Sequence, residues 1–381
     1  MDLTSLTLFL MLVASAIGVD TVLHPTSVVL DATVGGKFDK LTVDADTLSS
    51  MLTYEVMQIC SAPSVLAVPE IRAANNKGIG MAVAEAVRMQ AIALSLQAQL
   101  GYQPEQIKLT LLGEDGVIKM LVSGSGMGGR IRTPPFQEQL VLQQGETLAA
   151  LVHRGALFGM SQIDPYITAL YLLQSHSADS DFSQAEALID ATKARLPPTP
   201  ISYDRSLLEN LQGIIALLRG NLDEADSWFH TASTSDPDDA AAVLNAAFLD
   251  IQLGHYRRAI EHVEGLLAAK PAPDKVLLAT AYMSWGAALL GLGDADAADQ
   301  KLALAVQIDP FSSAAYELWS EIERVKGDTA TADRLHAKAW ATADSFENYA
   351  EVAALYFRLA WKKDQKLTRS PFDTSGRIRF N

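Results

Sequence analysis

A spacing of small residues and prolines that returns in one frame through the second half of the chain limits the fold more than any other feature. In "GIIALLRGNLDEADSWFHTASTSDP", Gly213 is followed by Gly220, Ala225, Phe229, Ala232 and Pro237. A second copy begins 34 residues after Gly213, with Ala247, Gly254, Ala259, Val263, Leu266 and Pro271. A third reads Gly286, Gly293, Ala298, Leu302, Ala305 and Pro310, after about five additional residues from Asp274 to Leu278. The fourth shows Ser320, Gly327, Ala332, His336 and Ala339, with Asp344 in the place of the proline. An earlier, weaker copy carries Phe182, Ala185, Ile189 and Pro197 without either glycine.

The spacing has a physical reason. Small residues at 213, 247 and 286 let the first helix of a pair approach the second closely at Ala225, Ala259 and Ala298. Glycine at 220, 254, 293 and 327 supplies the turn between them, where a positive φ is needed. Ala232, Ala305 and Ala339 leave room for the next pair's first helix. Proline then stops propagation, because it has no N–H to donate. No such pair buries its apolar stripe alone, so neighbours stack into a solenoid.

In these residues the chain resembles the tetratricopeptide repeat family, over roughly residues 166–346. The resemblance implies a mainly α fold: a solenoid of helix hairpins whose first helices line a concave, protein-binding groove. The family's groove positions fall here on Asn210, Ile214 and Leu217, on Leu244 and Phe248, on Met283, Ala287 and Leu290, and on Glu317, Glu321 and Arg324. The implied groove is apolar with an acidic end and has no lysine at these positions, unlike grooves that clamp a partner's C-terminal carboxylate. Two occupants suit it: a foreign amphipathic helix or hydrophobic peptide, or the chain's own C-terminal helix.

Composition agrees with a helical scaffold. Hydrophobic residues make up 49% of the 381 and aromatics only 7%, which suits closely packed helices. A formal net charge of −15 argues against nucleic acid as a partner. With one cysteine, Cys60, the chain has no intramolecular disulfide and no cysteine-cluster metal site.

Both ends carry further expectations. The uncharged run from Leu3 to Val19 sits at the lower edge of what crosses a bilayer, and Ala14-Ser15-Ala16 matches a signal-cleavage pattern. Residues 1–21 are therefore expected to be an anchor or signal segment, the rest of the chain facing the periplasm or cell exterior, or secreted after cleavage. A buried helix is the alternative. At the other end, Tyr349, Val352, Leu355, Tyr356 and Leu359 stand at helical spacing and predict a capping helix over 347–366. A basic tail follows over 367–381. Lys362, Lys363, Lys366, Arg369, Arg377 and Arg379 would be solvated, or would touch anionic lipid or the acidic repeats.

Between the N-terminal segment and the repeats, residues 22–145 read as a small α+β domain, and 146–346 as the repeats. "TSVVLDATV" is a strand, residues 48–59 a helix, and "GIGMAVAEAVRMQAIALSLQAQLG" a stronger helix ending at Gly101. A hairpin turns at Glu114-Asp115-Gly116, "FQEQLVLQQGE" is a further strand, and "ETLAALVHRGALFGMS" a further helix.

Two glycine clusters raise the question of a cofactor. Gly124, Gly126 and Gly129 satisfy G-x-G-x-x-G after a strand, but Pro134 and Pro135 deny the helix on which a pyrophosphate would rest. They read as a mobile connection between strands. Gly78 and Gly80, with Lys77, precede a helix without a Walker pattern. Cys60 reads as a buried structural thiol. His255 and His262 lie two turns apart, too far to share one metal ion unaided. No H-E-x-x-H or G-x-S-x-G is present.

The expectation is a non-enzymatic scaffold without cofactor or metal, with protein or peptide as its partner. A rival places small-ligand sensing or catalysis in the α+β domain and oligomerisation in the repeats. In a third reading the repeats assemble copies of the chain.

Overall fold

A computed structural model describes residues 27–36, 43–62, 64, 70–73, 105–114, 117–126, 133–175, 181–199, 202–269 and 273–342. The N-terminal hydrophobic segment, the helix ending at Gly101, the Lys77 loop, Pro271, the capping helix and the basic tail lie outside those residues. The chain divides into two compact units, one of Met1–Ala62 with Ala67–Tyr171, the other of Pro63–Leu66 with Leu172–Asn381. Among the described residues, no helix is long and apolar enough to cross a membrane.

The first unit is built on a five-stranded sheet of β1 (Ser27–Gly36), β2 (Glu70–Ala73), β3 (Glu105–Glu114), β4 (Val117–Gly126) and β5 (Thr133–Val141), in the order β2-β1-β3-β4-β5. β1 runs parallel to β2 and β3, while β3, β4 and β5 are successively antiparallel. Glu114 pairs with Val117, so the hairpin strands end on either side of Asp115-Gly116, as that dipeptide predicts. Two helices, α1 (Ala45–Cys60) and α2 (Leu148–Ile163), pack against each other and on the sheet. Alternation along β3 follows from this: Ile107, Leu109 and Leu111 are buried while Gln106 and Lys108 are exposed. The opposite alternation carries cross-strand polar pairs, Lys108 to Asp31 at 3.0 Å and Thr33 to Thr110 at 2.9 Å.

Two expectations change here. The boundary at 145 places α2 with the repeats, yet it packs on β3, β4 and β5, and the first unit runs to Tyr171. Gly155 and Gly159 are the reason: a Cβ at Gly155 would lie 2.9 Å from the Met120 sulfur, and one at Gly159 2.9 Å from Ile107. The helix backbone therefore sits directly on the sheet. Second, Ser123–Gly126 belong to β4 rather than to a link between strands. A Cβ at Gly124 would meet the Gln106 carbonyl at 2.1 Å and the Phe136 ring at 2.6 Å, and the β4–β5 register shifts between Gly124 and Gly126. Glycine here serves close backbone approach at a bulge. Pro134 and Pro135 lie in β5, which pairs with β4 alone; an edge strand tolerates residues that cannot donate to the ladder.

The second unit is a succession of helices, entered by the end of α3 (Pro165–Ser175) and by α4 (Ser183–Lys193). Four hairpins follow: α5 (Tyr203–Leu218) with α6 (Leu222–Ser235), α7 (Ala240–Leu253) with α8 (Tyr256–Ala268), α9 (Lys275–Gly291) with α10 (Ala295–Ile308), and α11 (Ser313–Lys326) with α12 (Thr329–Thr342). Each helix packs on the next, and the first helices of adjacent hairpins also touch. The four turn glycines have φ between 80° and 89°, the left-handed conformation that the spacing requires. Pro237 and Pro310 occupy the turns after α6 and α10.

A candidate interaction surface on the helical repeats

The two helices of each hairpin are buried differently. Second helices bury one narrow stripe: Ala225, Phe229 and Ala232 on α6, Ala259, Val263 and Leu266 on α8, Ala298, Leu302 and Ala305 on α10. The first helices α5 and α7 are buried around their whole circumference. On α7 the residues from Ala241 to Ala247 are buried without interruption, and α5 is buried from Ser206 to Leu211. At 3.6 residues per turn such a run passes every side of the helix.

Small residues bring the paired helices together as expected. A Cβ at Gly213 would stand 2.4 Å from the Phe229 ring, and one at Gly286 1.8 Å from Leu302. Side-chain caps fix where the first helices begin. Asp239 accepts from the amides of Ala241 and Ala242 at 3.1 and 3.2 Å and from the Ser206 hydroxyl at 2.7 Å, tying α7 to α5. Burial raises its carboxyl above the usual range, against the pull of those hydrogen bonds. Asp274 caps α9 in the same way, accepting from Val276 and Leu277.

The expected groove residues fall on all four first helices. Asn210, Ile214, Leu217, Leu244, Ala287, Leu290, Glu317 and Glu321 are buried, while Phe248 and Met283 are partly buried against the core of the repeats. Asn245 donates to Asn210 at 2.7 Å, linking α7 to α5 inside the apolar surface. At the acidic end, the Trp340 indole donates to His336 Nε2 at 3.1 Å, which leaves His336 Nδ1 to donate to Glu317 at 2.6 Å. Glu317 is fully buried and its Oε1 has no hydrogen-bond partner. Arg324 donates to Glu321 at 3.2 Å, and Lys326 to Glu323 at 2.9 Å.

One constellation has no counterpart in the spacing along the chain. His255 and His262 converge on Asp250 of the preceding helix, each at 3.5 Å, and Arg258 donates to the same carboxylate at 2.6 Å. Arg258 also reaches Asp226 at 3.1 Å, so this one arginine of α8 joins α6 and α7 through their acids. Burial holds His262 below the ordinary histidine range despite the attraction of Asp250. No group of three histidine, cysteine or acidic side chains among the described residues has metal-binding geometry.

In the first unit, burial pushes the Cys60 thiol up to about 12, so it is an unreactive thiol. Of the two glycine clusters, only Gly124 and Gly126 lie among the described residues, and both are in β4.

The tetratricopeptide repeat family model matches residues 216–283, from within α5 to within α9. Over those residues the chain carries tetratricopeptide repeat sequence. Its frame continues beyond the matched residues into the α11–α12 hairpin, where Ala332 and Ala339 are fully buried. No curated protein matches the chain. Among solved structures, a MamA fragment from Desulfovibrio magneticus RS-1 is 19% identical, with a TM-score of 0.36, covering 49% of this chain and 98% of its own. A second MamA structure is 20% identical with a TM-score of 0.34, covering 45% and 94%. A MamA from AMB-1 is 17% identical with a TM-score of 0.33, covering 48% and 99%.

Proposed function

We propose that the chain is a non-enzymatic scaffold whose tetratricopeptide repeats bind a protein through the surface formed by their first helices. The observation that supports this most is the burial asymmetry, with buried residues around the whole of α5 and α7 where the outer helices bury only one stripe. Asn210, Ile214, Leu217, Leu244, Phe248, Met283 and Leu290 supply the apolar part of the surface. Glu317, Glu321 and Arg324 supply its charged end. The complementary partner is an amphipathic or hydrophobic peptide segment with basic residues at one end. The α+β domain adds a second contact, and the hydrophobic segment at 1–21 holds the scaffold at a membrane or directs its export. Self-assembly through the repeats is compatible with the same surface.

The test is affinity capture of the full-length, detergent-extracted protein beside its Phe248→Glu and Met283→Glu variants, with circular dichroism to confirm retained helix. The partly buried positions tolerate a charge better than their buried neighbours, so the fold should survive. Loss of co-purifying proteins in both variants is expected. An unchanged set would remove the groove as the binding surface. Recovery of the protein in the soluble cytosolic fraction with Met1 intact would remove the export reading.

A further inference from the structure

Three of the chain's seven histidines, His230, His255 and His262, meet at the joint between the α5–α6 and α7–α8 hairpins. At its centre Asp250, near the end of α7, is 1% exposed, and its Oδ2 has no hydrogen-bond partner. His255, which precedes α8, and Arg258 and His262 within it stand three and four residues apart, so one side of the helix turns all three towards that carboxylate. Arg258 donates to Oδ1 and reaches across to Asp226 on α6. His262 Nε2 stops 3.5 Å from the bare Oδ2, and His255 Nδ1 stops 3.5 Å from Oδ1. His230 of α6 and Glu261 of α8 also act on His262 through their charges. On α9, the other helix packed on α8, the only ionisable side chains are Lys275 in its first turn and Tyr282.

We propose that this joint is acid-sensitive, and that a proton on His262 loosens the α7–α8 hairpin from α6. At neutral pH the carboxylates of Asp250 and Asp226 share the one guanidinium of Arg258. Histidine gains its charge between pH 8 and 5, and imidazoliums at 230, 255 and 262 turn the joint's excess of anion into an excess of cation. Burial opposes a proton on His262 more strongly than any neighbouring charge acts; Asp250 favours the proton, Arg258 and His230 oppose it, Glu261 favours it, and the balance lies below the ordinary value of 6.5. The unfolded chain therefore takes up this proton before the folded one. Stability from the joint is complete above pH 6.5 and is lost as the pH falls through and below that value. Leu244 and Phe248 lie on α7, so acid loosens a helix that carries part of the proposed binding surface. That consequence rests on the surface reading above, whereas the joint itself does not.

Amide hydrogen exchange of the full chain, read by mass spectrometry at pH 7.5 and pH 5.0, tests this without any partner. Wild type and His262→Gln are compared in the same peptides, so the intrinsic pH dependence of exchange cancels between them. On going to pH 5.0, α6, α7 and α8 should lose more protection in wild type than in His262→Gln, while β3 and β4 change equally in both. His230→Gln, at an exposed position on α6 where the fold is not at risk, should lose an intermediate amount. An equal loss in wild type and both variants would overturn the proposal. So would a gain of protection by wild type in acid, which is the outcome if a proton on Nε2 instead satisfies Oδ2. Unchanged capture by Phe248→Glu beside an acid response that needs His262 would remove the binding surface and leave the joint. The reverse pair of results would leave the surface and remove the joint.

Discussion

Replacing glycine by alanine in a helix should change sign between two positions of this solenoid, and the difference isolates how closely the paired helices pack. Gly265 lies in the exposed part of α8 with nothing within 4 Å of the position its Cβ would take. Gly265→Ala should therefore realise the full helix-propensity gain, about 1 kcal/mol. Gly213→Ala has the same gain, but its methyl would lie 2.4, 2.5 and 3.0 Å from three Phe229 ring carbons. That ring is fully buried and cannot swing aside, so overpacking should cost about 1–3 kcal/mol. Propensity cancels in the comparison, leaving Gly213→Ala less stable than Gly265→Ala by about 1–3 kcal/mol. In thermal unfolding this corresponds to a few degrees for a unit of this size, at about 2–4 °C per kcal/mol. Urea unfolding followed by circular dichroism is the better assay, because repeat arrays lose cooperativity gradually and midpoints can be compared directly. Adding Phe229→Leu to Gly213→Ala should recover part of the loss as a favourable coupling. Equal stabilisation by the two alanines would refute the close approach of α5 and α6, and with it the reason for small residues at 213 and 286.

Arg258→Ala should destabilise the repeats by about 2–3 kcal/mol, since it strips the buried Asp250 of its charged donor; a urea midpoint shift no larger than that of an exposed arginine on the same helix would show the network to be idle. In the sheet unit, burial raises the Glu105 carboxyl from 4.5 to about 7, with the Asp164 charge adding to it, and Glu105 Oε1 has no partner. A raised carboxyl pKa means that the folded unit holds its proton more tightly than the unfolded chain. Stability is therefore lost as pH rises from about 4.5 to 7, by at most about 3 kcal/mol at 1.36 kcal/mol per unit. Glu105→Gln should abolish that loss, so its advantage over wild type should grow between pH 5 and pH 8 in urea unfolding; a constant difference would refute the assignment.

What could be read from the chain alone follows from how local each constraint is. The turn glycines at 220, 254, 293 and 327 and the small residues at 213 and 286 act within one hairpin, so their spacing carries the architecture and the structure repeats it. The place of α2 depends on which surface its glycines meet. Gly155 and Gly159 stand four apart on one helical face, a signal of close packing, but only the sheet's Met120 and Ile107 reveal the partner. The histidines are a sharper case. His255 and His262 lie two turns apart along the sequence and look unrelated, yet a carboxylate contributed by the preceding helix can lie between them. Asp250 does so at 3.5 Å from each. A one-dimensional search measures separations within one element, whereas an acid buried at the junction of three helices measures them across elements. The groove combines both situations. Its apolar positions could be named by frame, but the joining of Asn210 to Asn245 and the unsatisfied oxygen of Glu317 emerge only when the first helices stand side by side. Polar groups at such places are costly unless they are partnered, so they carry a constraint that the apolar spacing does not.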